Sequence, residues 1–150
     1  MDRLQALEDR LEIQDLMSRY AQMVDRREWE RMHDVFAPGA TLDYTTTGGE
    51  KGGYEETLAW LDRALAPWPI NLHFITNLTV ELDGDRATSR CYFQAPMGCV
   101  EEGGSQLVIT NAGCYDDELV RTEAGWRIAK RYCDQTIMVG SLPDGYEIPR

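Results

Sequence analysis

The chain reads as an α+β domain: three N-terminal helices packed on a strongly curved, mostly antiparallel sheet. Three observations carry that reading. Apolar residues repeat at helical spacing only within the first 65 or so positions. The second half is a series of long strand-like runs separated by tight turn signals. No repeat, low-complexity tract or linker divides the 150 residues, a length that suits one core. The expected organisation is a single domain over residues 1–139 and an irregular C-terminal arm over 140–150, where two prolines and two glycines gather.

Leu4, Leu7, Leu11, Leu16, Tyr20 and Val24 recur at three-to-five-residue steps among charged positions, predicting an amphipathic helix from about residue 3 to 24. A short helix follows with Trp29, Met32, Val35 and Phe36 inward, and Pro38-Gly39 is expected to stop it. Residues 40–46 alternate as a first strand. Gly48-Gly49 and Gly52-Gly53 read as a mobile flap, since their spacing and context do not fit a phosphate loop. Tyr54, Leu58, Leu61 and Leu65 mark a third helix, ended before Pro67 and Pro69.

Leu72 to Leu82 is predicted as a strand, and Asp83-Gly84-Asp85 as the hairpin turn that returns it along residues 86–97. Residues 106–119 and 126–139 give the last two strands, joined at Thr122-Glu123-Ala124-Gly125. Such a sheet bent around helices would enclose a cavity.

Fifteen basic against 26 acidic residues leave a net charge of −11, which opposes binding to nucleic acid or anionic lipid. No apolar run approaches the roughly 18 to 20 residues of a membrane span, and the N-terminus lacks the apolar segment of a signal peptide. The expectation is a cytoplasmic protein with a small-molecule substrate, no nucleic-acid or membrane partner, and no cofactor. Cys91, Cys99, Cys114 and Cys133 form no metal-ligand spacing with one another or with histidine, so no metal is expected and they read as core thiols.

Only two histidines are present. His33, beside Asp34, reads as a surface residue. His73 opens a predicted strand, and a carboxylate partner would make it a general base. Asp25, at the end of the first helix, is the candidate partner, with a solvated pairing to Arg26 or Arg27 as the alternative. Strict alternation puts His73 on the face opposite Leu72, Phe74, Leu78, Val80 and Leu82, so an inward His73 requires a bulge or sharp bend. Tyr20 and Tyr44 read equally as core tyrosines or as hydroxyl donors to a substrate. Tyr92, Asn111 and Tyr115 are either cavity-lining or ordinary strand residues. Arg131 is either a surface residue or a cation that polarises a carbonyl.

The residues Leu11-Glu12-Ile13-Gln14-Asp15-Leu16, Tyr20, Val24-Asp25-Arg26-Arg27, Trp29, Leu72-His73-Phe74-Ile75-Thr76-Asn77 and Gly125-Trp126-Arg127-Ile128 carry a family likeness. Over residues 4 to 139 the chain resembles the nuclear transport factor 2-like superfamily, in its SnoaL-like, scytalone dehydratase-like branch. That branch also includes enzymes similar to lindane dehydrochlorinase and bile acid 7-alpha-dehydratase. The resemblance implies a cystatin-like α+β barrel with a cone-shaped pocket. It implies His73 as base, Asp25 as its partner, and Tyr20 and Tyr44 as substrate-binding residues. Tyr20 stands where the dehydrochlorinase has a lysine, and a second pocket histidine is missing.

The expected function is a cofactor-independent, dehydratase-like lyase or isomerase that abstracts a proton from a small, largely apolar cyclic or carbonyl-containing substrate. The alternatives are a non-catalytic small-molecule-binding or scaffold domain, or a small subunit of an aromatic-ring dioxygenase. The resemblance also implies a homo-oligomer, a trimer in the dehydratase branch and a dimer elsewhere, and the trimer is the expectation.

Overall fold

The computed structural model describes residues 2–143 and 145–148. Helix α1 (Arg3–Asp25) is followed by a 3₁₀ helix (Trp29–Asp34), strand β1 (Phe36–Asp43) and a short strand β2 (Lys51–Gly53). Helix α2 (Tyr54–Leu65) comes next. The remaining strands are β3 (Ile70–Asn71), β4 (Phe74–Asp83), β5 (Arg86–Val100), β6 (Gln106–Thr122) and β7 (Gly125–Val139). The sheet runs β2-β1-β7-β6-β5-β3, with β4 also on β5. All pairings are antiparallel except β1 with β7. The sheet is curved and unclosed, with the helices on its inner face.

The predicted second helix is a single 3₁₀ stretch, and Pro38-Gly39 does not stop it. Both residues lie within β1, where the register to β7 shifts between Phe36 and Thr41. Proline and glycine are tolerated in a strand at such an irregularity. The glycine segment is likewise not a free flap. Residues 51–53 pair with β1, and Thr46 Oγ donates to the Cys133 carbonyl at 2.6 Å while accepting from the Gln135 amide at 2.9 Å. A Cβ on Gly49 would lie 2.6 Å from the Trp60 ring, so the loop packs directly on α2.

The first helix faces the sheet by two different means. Its C-terminal half buries Ile13, Leu16, Met17, Tyr20 and Val24. Its N-terminal half leaves Leu4, Leu7 and Leu11 exposed, contrary to the periodicity reading. Polar contacts continue the buried stripe there. Asp9 receives two hydrogen bonds from Arg121 (2.8 and 2.7 Å) and one from the Trp126 indole (3.2 Å). Glu12 accepts from the Trp126 amide at 2.7 Å, and Arg10 donates to the Val80 carbonyl. Asp9 continues the stripe of Ile13, Leu16, Tyr20 and Val24, so a straight helix turns Leu4, Leu7 and Leu11 to the opposite face, and the donors offset the several kcal/mol that burying a bare carboxylate would cost.

Strands β3 and β4 are one strand opened in the middle. The register to β5 is the same on both sides, with Asn71 opposite Met97 and Phe74 opposite Gln94. Leu72 therefore lies opposite Pro96 and donates to its carbonyl at 3.1 Å, but Pro96 has no N–H to return the bond. His73 sits in this gap rather than inside a strand. Four residues on, Asn77 takes a left-handed φ of 55° and the register shifts between Thr76 and Thr79. That bulge reverses the alternation. Before it His73 and Ile75 face inward while Leu72 and Phe74 are exposed; after it Leu78, Val80 and Leu82 face inward.

Candidate active site

The cavity lies between α2 and the inner face of the sheet, beyond the C-terminal half of α1, and encloses about 820 Å³ with its mouth included. Its walls are Tyr20 and Val24 from α1, Trp60, Leu61 and Leu65 from α2, and Phe93, Ala95 and Met97 from β5. Ile109, Asn111 and Tyr115 from β6 and Cys133, Gln135 and Met138 from β7 complete the sheet side. The C-terminal residues Leu142, Tyr146 and Ile148 return over it. Tyr146 is fixed there by hydrogen bonds to the Trp68 indole and the Ala64 carbonyl. Among the described residues the lining is mostly apolar, with polar groups at a few points.

Asp25 and His73 meet. His73 Nδ1 lies 2.6 Å from Asp25 Oδ1, and the His73 amide donates to Asp25 Oδ2 at 3.0 Å. The amide is free for this because residue 73 lies in the gap at the sheet edge and, next to the Leu72 amide that bonds Pro96, points away from β5. One carboxylate therefore fixes both the backbone and the ring of a single residue. Its acceptor character assigns the ring proton to Nδ1, which leaves Nε2 as the lone-pair nitrogen of the neutral imidazole. Both side chains are largely buried, 9% and 19% exposed. The alternative pairing of Asp25 with Arg26 or Arg27 is not formed. Arg27 takes a left-handed φ of 59° where α1 ends, a position that favours glycine. Its guanidinium donates to the carbonyls of Leu65 and Trp68, tying the end of α2 to the end of α1.

Across the sheet the register aligns His73, Ala95, Asn111 and Met138 in one inward row. His73 and Asn111 stand two strand spacings apart, about 10 Å between backbones. The small Ala95 side chain between them leaves that space open. The carboxamide oxygen of Asn111 is buried and has no hydrogen-bond partner. A close approach of strands supports this wall: a Cβ on Gly113 would fall 1.9 Å from the Asp134 carbonyl. The adjoining register shift between Ala112 and Gly113 keeps Met138 opposite Asn111.

Tyr20 and Tyr44 also meet, with hydroxyls 2.6 Å apart. Burial pushes both phenols, and that of Tyr115, above the usual tyrosine range. The pair therefore carries two protons at neutral pH and uses one in its own hydrogen bond, so the other is left to donate elsewhere.

Two expected site residues are elsewhere. Tyr92 is 50% exposed on the outer face of the sheet, because even-numbered residues of β5 point outward there. Arg131 is neither a surface residue nor part of the cavity wall. It is fully buried in a bidentate pair with Asp117 (2.8 and 2.7 Å), behind Tyr20 and Tyr115. Burial raises the Asp117 carboxyl while Arg131 pulls it down, and the two short parallel bonds are those of an ionised pair. His33 is exposed, as expected. Cys91 and Cys133 are buried, which pushes their thiols up to about 11 and about 12 and keeps them neutral. The sequence reading missed Trp60, Trp68 and Gln135 in the wall. It also missed the Ala95 row, which counting back from the Asp83-Gly84-Asp85 turn recovers to within one residue.

Comparison with known proteins agrees with this architecture. The chain is 39% identical over 135 residues to an uncharacterized protein of Mycobacterium tuberculosis, covering 88% of this chain and 90% of that one. The solved structure of the Kfla4162 protein from Kribbella flavida superposes with a TM-score of 0.79 at 28% identity, covering 89% of this chain and 95% of the other. A hexachlorocyclohexane dehydrochlorinase of type 2 superposes with a TM-score of 0.77 at 24% identity, covering 97% and 100%. At that identity the likeness is one of fold. Residues 5–132 match the SnoaL-like domain, and the chain belongs to that family.

Proposed function

We propose that the protein is a cofactor-independent lyase or isomerase of the dehydratase type, in which His73 is the base and Asp25 its partner. The observation that carries this reading is the 2.6 Å contact between His73 Nδ1 and Asp25 Oδ1 at the wall of an apolar cavity. His73 Nε2 takes a proton from carbon beside a carbonyl or on a ring. Asp25 holds the ring in place and stabilises the imidazolium that forms. The free proton of the Tyr20–Tyr44 pair is donated to the substrate oxygen, where charge builds up. A substrate lying across Ala95 presents its acidic C–H to His73 and a hydroxyl or N–H to the buried Asn111 oxygen. His73 then protonates the departing hydroxyl, or returns the proton at another carbon to complete an isomerisation. The apolar walls suit a small, uncharged, cyclic or carbonyl-containing molecule. Proton transfer of this kind contributes about 10² to 10⁴-fold, and positioning supplies the rest.

A test that does not need the natural substrate uses deuterium. Cyclic ketones and β-hydroxy ketones are incubated in D₂O with the protein, and carbon-bound deuterium is followed by mass spectrometry. The expected result is incorporation above background with the native chain and background alone with His73→Ala. Equal incorporation by both would remove His73 from the chemistry and favour a binding-only domain.

A further inference from the structure

We propose that Arg131 is a positioning residue that acts on substrate through the tyrosines rather than by contact, as a buried cation that strengthens the Tyr20–Tyr44 hydroxyl pair as a donor. This rests on the reading of the cavity given above. Arg131 has no exposed surface, and its guanidinium carbon lies 4.1 Å from the ring centroids of both Tyr20 and Tyr115. The cation thus sits in the corner between two ring faces whose planes lie at 85°, and both rings are cavity walls. Phe93 stacks on Tyr115 at 4.5 Å and holds that ring in place. Asp117 grips Nε and Nη2 and sets the guanidinium plane. Nη2 also touches the Met17 sulfur, and Nη1 has no hydrogen-bond partner.

Stability alone does not account for this arrangement. Replacing a buried ion pair with well-packed apolar residues is often neutral or stabilising. Moreover, a guanidinium with an unpaired nitrogen forgoes part of its hydrogen-bond energy. What the arrangement provides is a positive charge held against the faces of the phenol rings. A cation there favours any shift of negative charge onto the ring. As the substrate oxygen gains charge, the donor hydroxyl gains partial phenolate character, and Arg131 stabilises it from behind. Burial raises the Tyr20 phenol and Arg131 pulls it back down, in keeping with the geometry. The other titratable groups facing Tyr20 are Tyr44, Tyr115 and Cys133, all of which are neutral in this state.

The test replaces both charges together, Arg131→Met with Asp117→Leu, so that no lone charge is left buried. The full chain is labelled with 3-fluorotyrosine, and Tyr20 is assigned by Tyr20→Phe and titrated by ¹⁹F NMR. The expected result is a Tyr20 midpoint about one unit higher in the double variant, with Arg131→Lys close to the native value. With a substrate in hand, kcat falls about tenfold or more while KM changes little. An unchanged or lower midpoint in the folded double variant overturns the proposal. If the double variant does not fold, a midpoint in Arg131→Met equal to that of the native chain does so. A raised midpoint in a protein that exchanges no deuterium would sustain the inference about Arg131 and remove the proposed activity, so the two claims fail separately.

Discussion

Towards each end of α1 a carboxylate turned from solvent is held by a nitrogen donor from the sheet side, Arg121 for Asp9 and His73 for Asp25, and the two pairs differ in what remains unsatisfied. At the first end, Asp9 takes hydrogen bonds from Arg121, Trp126 and Gln5. Arg121 spends its remaining Nε on Asp85 and lies over the Trp126 ring at 4.6 Å. Each of these polar groups has a partner among the described residues, and none of them lines the cavity. At the other end, Asp25 fixes one nitrogen of His73 and leaves the second beside a cavity with a partnerless carboxamide oxygen across the sheet. A carboxylate held by a nitrogen donor is thus a structural clamp in one place and a candidate acid–base device in the other. The difference lies in the unused valence and the space beside it, not in the strength of the pair.

The largest expected effect tests the second end. His73→Ala and Asp25→Asn should each lower turnover by about 10² to 10⁴-fold once a substrate is identified. Thermal unfolding should move by no more than a few degrees, because the pair lies at an edge. Near-normal turnover in either variant would make both ends structural.

The converse experiment tests the first end. Arg121→Met strands the buried Asp9 carboxylate and should cost roughly 2 to 4 kcal/mol in urea unfolding. Turnover per folded molecule should stay within about twofold, since Arg121 does not touch the cavity. A large stability loss without loss of turnover, set beside the reverse pattern for His73, would establish the contrast.

The pH dependence of stability sharpens it further. The Arg121 hydrogen bonds, with those of Trp126 and Gln5, outweigh burial and hold the Asp9 carboxyl at about 2, against 3.8 ordinarily. A lowered folded value contributes stability that is complete above the unfolded pKa and is lost as pH falls toward the folded one. Stability of the native chain should therefore fall between about pH 4 and pH 2. Chemical unfolding at pH 5, 4, 3 and 2 should show that slope flattened in Arg121→Met. Parallel slopes would mean that Asp9 is not the titrating group.

Much of the fold was legible because its signals are local. The helix of residues 3–25, the helix beginning at Tyr54 and the three long strands each follow from periodicity and turn chemistry. The site was less legible for identifiable reasons. The facing of His73 depends on one asparagine in a left-handed conformation, and Asn77 carries no signal that separates it from any strand asparagine. Pro38-Gly39 reads alike as a helix stop or a strand irregularity, and only the parallel pairing with β7 decides. The exposure of Leu4, Leu7 and Leu11 follows from the five-residue step between Leu11 and Leu16, which puts them opposite the buried stripe, and the place of Asp9 on that stripe depends on Arg121, 112 residues away in sequence. The burial of Arg131 had a usable sign: counting outward from the Thr122–Gly125 turn brings it to within one residue of Asp117.

The smallest expected effect probes the bulge. Asn77→Gly should keep stability within about 0.5 kcal/mol, since glycine adopts the same backbone, whereas Asn77→Val should cost about 1 to 2 kcal/mol. The valine variant should also weaken the His73 contact, seen as a change in the His73 ring resonances. Equal stability of the two variants would mean that the reversed alternation does not depend on that residue.

The most direct measurement of the central claim is the ¹⁵N NMR spectrum of the His73 ring in the native protein at pH 8, assigned by His73→Ala. The expected pattern is the neutral imidazole with its proton on Nδ1 and a lone pair on Nε2, together with a downfield Nδ1 proton that disappears in Asp25→Asn. A ring protonated on Nε2, or a downfield proton that survives Asp25→Asn, would contradict it.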